Sequence, residues 1–175
     1  AQILISLQTI VARNVDPVKR VVLTVGTFKT DSEASNVIAH SVRMAGTVRT
    51  LDPEYRKIGE ERVRRIATDT ASAFGASAEV NWDAGYPATI NTPDETGYAA
   101  DAARAVAGTV IDNADPIMPS EDFAYMLEER PGAYISIGNG DSAMCHHPAF
   151  DFNDDAIPAG CSWFAELVER RMPAL

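Results

Sequence analysis

DPEYRKIGEERVRRIATDTASAFG, residues 52–75, contains the start, the periodic body and the stop of a single helix. Asp52 can cap the first turn, Pro53 suits the first helical position, and Glu54 complements the positive end of the helix dipole. Tyr55, Ile58, Val63, Ile66, Ala67, Thr70, Ala73 and Phe74 recur along one face, with Glu60, Glu61, Arg62, Arg64 and Arg65 mostly elsewhere, and Gly75 ends the run. Upstream, Val21 to Phe28 is rich in β-branched residues and reads as a strand, and Lys29 to Ser35 as a polar loop. Asn36 to Thr50 resumes extended character, with an interruption expected near Gly46. Downstream, Ala78 to Tyr86 sets Ala78, Val80 and Trp82 against Glu79, Asn81 and Asp83, the alternation of a third strand. At the start of the chain, Ile3, Leu4, Leu7, Ile10 and Val11 recur at helical spacing without an initiator Met or a cap. The chain therefore reads as the continuation of something longer.

The order is helix, strand, strand, helix, strand. One strand before residue 1 would complete βαββαβ, a ferredoxin-like α+β unit with an antiparallel sheet and both helices on one face. Pro87 to Pro93, with two prolines among polar turn residues, marks the boundary between a domain at 1–88 and a second at 89–175. Thr96 to Gly108 reads as an alanine-rich helix, Val110 to Ile117 as holding a short strand, and Asp122 to Glu129 as a helix capped by Ser120. Ala133 to Ile137 reads as a buried strand that ends at Gly138-Asn-Gly140, and Ile157 to Arg171 as a last amphipathic helix. This half resembles the closing portion of an α/β domain whose other strands come from elsewhere.

With 25 acidic residues against 15 basic, the net charge of -10 opposes attraction to a phosphate backbone, so no nucleic-acid partner is expected. The 46% hydrophobic content suffices for a packed core. Cys145 and Cys161 do not make a disulfide framework, which points to a reducing compartment. No apolar run approaches the roughly 18 residues a membrane span needs, and no signal peptide is evident. A cytoplasmic location without membrane association is expected.

Chemistry concentrates between Met118 and Asp155, where MPSEDFA precedes GNGDSAMCHHPAFDFNDD in a chain with 3 histidines. His146 or His147 can ligate a metal through a neutral imidazole nitrogen, with Glu121, Asp122, Asp151, Asp154 and Asp155 available to orient the ligand. A catalytic zinc-type site normally needs about three protein ligands plus water, so the segment reads as part of an active site. Glu121 and Asp122 sit at a helix start, where a structural role is the default. Cys145, His146 and Asp151 lie too close in sequence to enclose one tetrahedral ion without an unusual loop.

NVIAHSVRMAGTVRT at 36–50, YPATIN at 86–91, MPSEDFA at 118–124, and PGAYISIGNG with CHHPAFDFNDDAIPAG at 131–160 together resemble the metal-dependent aminoacylases, in particular the hippurate hydrolase and N-acyl-amino-acid amidohydrolase group. The resemblance runs over essentially the whole chain. It implies a βαββαβ lid that also mediates homodimerisation, followed by the C-terminal part of an α/β metallopeptidase-like catalytic domain. It implies that His146 is a metal ligand, with His147 at a position usually held by Asn. It also implies substrate-binding roles for Asn36 and Arg49, thirteen residues apart as in the family, and a close approach of backbone at Gly138. His40 replaces a usually acidic position. The implied cofactors are divalent metal ions, zinc, manganese, cobalt or nickel, two per intact site. The implied substrate is an N-acyl amino acid.

The family's Cys-Gly-His-Asp-Gly-His-type motif, its Glu-Glu pair with the general base and its lid histidine do not occur in these residues. No catalytic residue is therefore assigned, and the expected reading is a C-terminal portion of an amidohydrolase that is inactive alone. The rival is a free-standing α+β module that dimerises or binds a small molecule.

Overall fold

The computed structural model describes residues 1–172. It divides into two compact units, one formed by Ala1–Ala88 with Met118–Ser120, the other by Thr89–Ile117 with the chain from Glu121 onward.

In the first unit, helix α1 (Gln2–Thr9) runs into a π-helical turn at Ile10–Asn14, and Leu7 and Ile10 are buried. Val11, expected on the same face, is exposed. Strands β1 (Val21–Thr30) and β2 (Val42–Thr50) pair antiparallel, from Val21 opposite Thr50 to Thr30 opposite Val42. The register slips between Val25 and Thr27, so Gly26 is the extra residue and the bulge lies on β1, across from the glycine at which it was expected. Residues 36–41, read as extended, belong instead to the loop between the strands.

Helix α2 (Pro53–Ala73) follows the start and stop in its sequence. The Asp52 carboxylate accepts the Glu54 backbone N–H at 3.0 Å. At the other end, Gly75 adopts φ 71°, with Ala76 N–H bonded to Ala71 C=O at 2.9 Å and Gly75 N–H to Ser72 C=O at 3.0 Å. That pair of bonds is a Schellman motif. The helix buries Gly59, Ala67 and Ala71, and leaves Ala73 and Phe74 exposed, contrary to the expected stripe. Gly59 lets α2 approach β2 closely, since a Cβ there would stand 3.0 Å from Val48 Cγ1.

The third strand expected at Ala78–Tyr86 does not form. A strand exists only through a neighbour's N–H and C=O groups, and the sheet among the described residues has two strands, β1 and β2. Carbonyls of the 78–86 segment are taken up by α2 arginines: Arg64 Nη1 donates to Val80 O at 2.7 Å, and Arg56 Nη2 to Ala84 O and, at 3.0 Å, Gly85 O.

In the second unit, α3 (Pro93–Val106) and α5 (Ala156–Arg171) bury Ala99, Ala102 and Trp163 between them, joined by Ile135 and Leu167. The Trp163 indole N–H, which needs a partner when buried, donates to Ala99 O at 2.9 Å. The short helix α4 (Phe123–Glu129) is not capped by Ser120. Asp122 is its N-cap without a side-chain bond, and Glu121 Oε1 accepts the Phe123 N–H at 3.3 Å. The strands expected within Val110–Ile117 and at Ala133–Ile137 are also absent. At the latter, side chains imitate a ladder: the Asn91 amide accepts Tyr134 N–H at 2.8 Å and donates to Tyr134 O at 2.9 Å, while Thr92 N–H and Oγ1 bond Gly132. No described helix is long and apolar enough to cross a membrane.

Candidate functional site

The segment after Ile137 begins at Gly138, which is exposed and has no atom within 4 Å of where a Cβ would stand. Asn139 follows, and its amide ties together the two ends of the loop that carries the histidines. Within that loop, Met144 O accepts His147 N–H at 3.0 Å and His147 O accepts Phe150 N–H at 2.9 Å. The His147 ring is engaged locally, its Nδ1 accepting the Ala149 N–H at 3.1 Å.

His146 differs from its neighbour. It is the one described non-glycine residue with positive φ, at 69°, and its exposed side chain makes no hydrogen bond among the described residues. A left-handed backbone at a residue with a Cβ costs energy and persists where the surroundings enforce it. The imidazole is thus presented to solvent by a strained backbone while its neighbour holds the turn.

The carboxylates do not gather on it. Asp151, Asp154 and Asp155 are exposed, and Asp155 stands at the N-terminus of α5. Among the described residues no three His, Cys, Asp or Glu side chains converge as a metal-binding group. Cys145 and Cys161 are free and exposed. Glu121 holds together a different cluster. Its carboxylate accepts the Phe123 N–H, which together with the nearby Tyr134 hydroxyl keeps it below the ordinary glutamate range, and its proximity raises the Tyr134 phenol. The Phe123 and Tyr134 rings lie 5.7 Å apart.

In the first unit, Asn36 lies in the loop between β1 and β2, exposed and without a side-chain hydrogen bond among the described residues. Asp31 closes that loop, accepting the backbone N–H and hydroxyl of Ser41, each at 3.0 Å, and these bonds lower its pKa. Arg49 is opposite Val22 near the other end of the hairpin, seven residues or about 23 Å along the strand from Val42. Its guanidinium donates to Met118 O at 2.6 Å. The two residues expected to share a substrate are therefore not joined within this chain.

Three contributors went unnoticed in the sequence: Asn139, Asn91 and Tyr134. Gly138-Asn-Gly140 reads as a turn, yet an Asn at the end of an apolar run is also the side chain best able to satisfy loop backbone. The pairing of Asn91 with Tyr134 spans 43 residues and leaves no local mark.

The loop thus presents an exposed imidazole on a strained, stapled backbone, with no further metal donors gathered around it among the described residues. Residues 6–170 match the family model for peptidase family M20/M25/M40, and the chain belongs to that family. It is 38% identical over 170 residues to the N-acetyl-L-cysteine deacetylase of Bacillus subtilis, covering 97% of this chain and 40% of that protein. It is 31% identical over 167 residues to the hippurate hydrolase of Campylobacter jejuni, covering 94% of this chain and 43% of that protein. Among solved structures, a dinuclear metal-binding peptidase of the M20 family from Bacillus subtilis superposes with a TM-score of 0.77 at 30% identity, covering 99% of this chain and 45% of that one. The chain thus spans about two-fifths of the length of these curated relatives.

Proposed function

We propose that this chain is the C-terminal portion of a metal-dependent amidohydrolase that cleaves the amide bond of N-acyl amino acids. Family membership supports the reaction class, and the relatives' names, N-acetyl-L-cysteine deacetylase, hippurate hydrolase and N-acetyldiaminopimelate deacetylase, support the substrate class. The observation that carries the reading is His146, an unbonded imidazole at φ 69° on a stapled loop.

His146 suits one coordination position of a divalent ion such as zinc, manganese, cobalt or nickel, and two ions complete the intact site in this reading. The described residues supply no full ligand set; in this reading the remaining donors come from a segment outside these 175 residues. When bound, the metal supplies an acidified water and polarises the amide carbonyl. The chain's own residues bind and orient. Asn36 donates its amide N–H toward the carbonyl oxygen, where charge develops. Arg49 exchanges the Met118 carbonyl for the substrate carboxylate, which its fork grips with two parallel bonds. Gly138 leaves room for the acyl group beside the loop. Asn36 and Arg49 lie at different ends of the hairpin, which fits a site shared between the subunits of a homodimer formed through the first unit, in the cytoplasm. A free-standing binding module is not favoured, because the matched relatives named above are hydrolases along nearly all of this chain's length.

The test uses the full-length protein with N-acetyl amino acids and N-benzoylglycine as substrates. Chelation is expected to abolish hydrolysis and a divalent ion to restore it, while His146→Ala folds normally but no longer responds to metal. Wild-type turnover by His146→Ala would overturn the assignment.

A further inference from the structure

We propose that Asn139 is the positioning residue for His146, a side-chain clamp that fixes the imidazole where a metal can take it. The inference rests on His146 being a ligand and adds the residue that aims it.

Three bonds carry it. Asn139 Oδ1 accepts the Asn153 backbone N–H at 2.8 Å, and Nδ2 donates to Asp151 O at 2.8 Å and to Ser142 Oγ at 2.8 Å. A backbone N–H must meet the amide oxygen and a carbonyl must meet the amide nitrogen, so the orientation of the group is set by its partners. The bonds join points 12 and 14 residues apart in sequence and close the loop at its base, with His146 inside the closure. Asn139 is itself partly buried, although most of the loop is exposed. Asn153 passes the constraint onward: its own Oδ1 accepts the Asp155 N–H at 3.0 Å, tying the loop to the first turn of α5.

The chemistry dictates the residue type. An Asp would set a carboxylate against the Asp151 carbonyl, and a Ser or Thr hydroxyl is too short to serve both loop ends. Closing the loop removes conformations that would otherwise have to be lost when a ligand binds. A metal ligand has to be held within a fraction of an ångström by groups behind it. Nothing else among the described side chains bonds both ends of this loop, and the His146 ring has no partner of its own.

The experiment compares wild type, Asn139→Ala, Ser142→Ala and His146→Ala in the full-length protein by Co²⁺ titration followed through the ligand-field spectrum, by hydrogen exchange over residues 140–152, and by kcat and KM. Asn139→Ala is expected to weaken Co²⁺ binding about 10- to 100-fold, to alter the Co²⁺ spectrum, to speed exchange in the loop alone, and to lower kcat with KM unchanged. Ser142→Ala, which loses one of the three bonds, shifts the same readouts less. If Asn139→Ala fails to fold, Asn139→Asp, which keeps the acceptor and loses both donors, takes its place. Weakened Co²⁺ binding in His146→Ala beside wild-type binding and exchange in the Asn139 variant would overturn the clamp while leaving the ligand in place. Wild-type binding in both would overturn the ligand reading and the clamp with it.

Discussion

Two glycines show how differently the same residue type can be constrained. At Gly46 an added Cβ would stand 2.1 Å from the carbonyl oxygen of Thr24, so Gly46→Ala forces the β1–β2 ladder apart beside its bulge. The expected cost is about 1–3 kcal/mol, read as a lower denaturant midpoint with an unchanged slope. At Gly138 nothing lies within 4 Å, and Gly138→Ala should change stability by no more than about 0.5 kcal/mol. A fall in kcat/KM in that variant then reports crowding of substrate, whereas unfolding would remove the basis for assigning Gly138 to the site. The two histidines are constrained just as differently, and residue type does not reveal it. His146 and His147 are chemically equivalent in the sequence, and what separates them is a backbone φ of 69° at one and a ring bond to Ala149 N–H at the other.

Helix α2 was legible because its signals are local, whereas the missing strands were not because theirs are not. Asp52, Pro53 and Gly75 act within one turn of where they stand, and the structure uses each as its chemistry suggests. Alternation at Ala78–Tyr86 and the apolar run at Ala133–Ile137 state only that a segment suits a sheet. Whether it joins one depends on a neighbour, and among the described residues arginine and Asn91 side chains take that place. The start of α2 also has a pH dependence. Asp52 is held below the ordinary aspartate range by the Lys19 ammonium, which donates to it at 2.8 Å, and by the Glu54 backbone N–H, while the same pair raises Lys19. A lowered carboxyl pKa stabilises the fold above the unfolded value of about 3.9 and is lost as pH falls through the folded value; the raised lysine keeps its part up to about 10.4 and loses it above. Asp52→Asn should therefore be less stable than wild type at pH 7, with the difference shrinking below about pH 4 in pH-dependent urea melts. A difference that persists at pH 2 would show that the charge of Asp52 is not what anchors the helix.

The whole chain exposes 13215 Å² of surface. Two separate compact bodies, each of half its mass, would expose about 10,000 Å², so even without counting any burial between the units the surface is larger than folding of these residues alone should leave. Much of the excess is apolar: Ile38 is 98% exposed, Met144 82% and Phe74 73%, while nine hydrophobic residues form the core among those described. Exposed apolar area on this scale marks surface suited to an interaction. In the proposed reading, the remainder of a longer protein and a second subunit pack on that surface. At neutral pH the isolated 175-residue chain should raise the fluorescence of an apolar-surface dye severalfold more per mole than the full-length protein, and should associate increasingly with concentration in light scattering. Equal dye binding by the two would mean that these residues stay exposed in the longer protein. The composite-site reading would then lose its support at the scale of the molecule, although His146 and its clamp would stand or fall on their own tests.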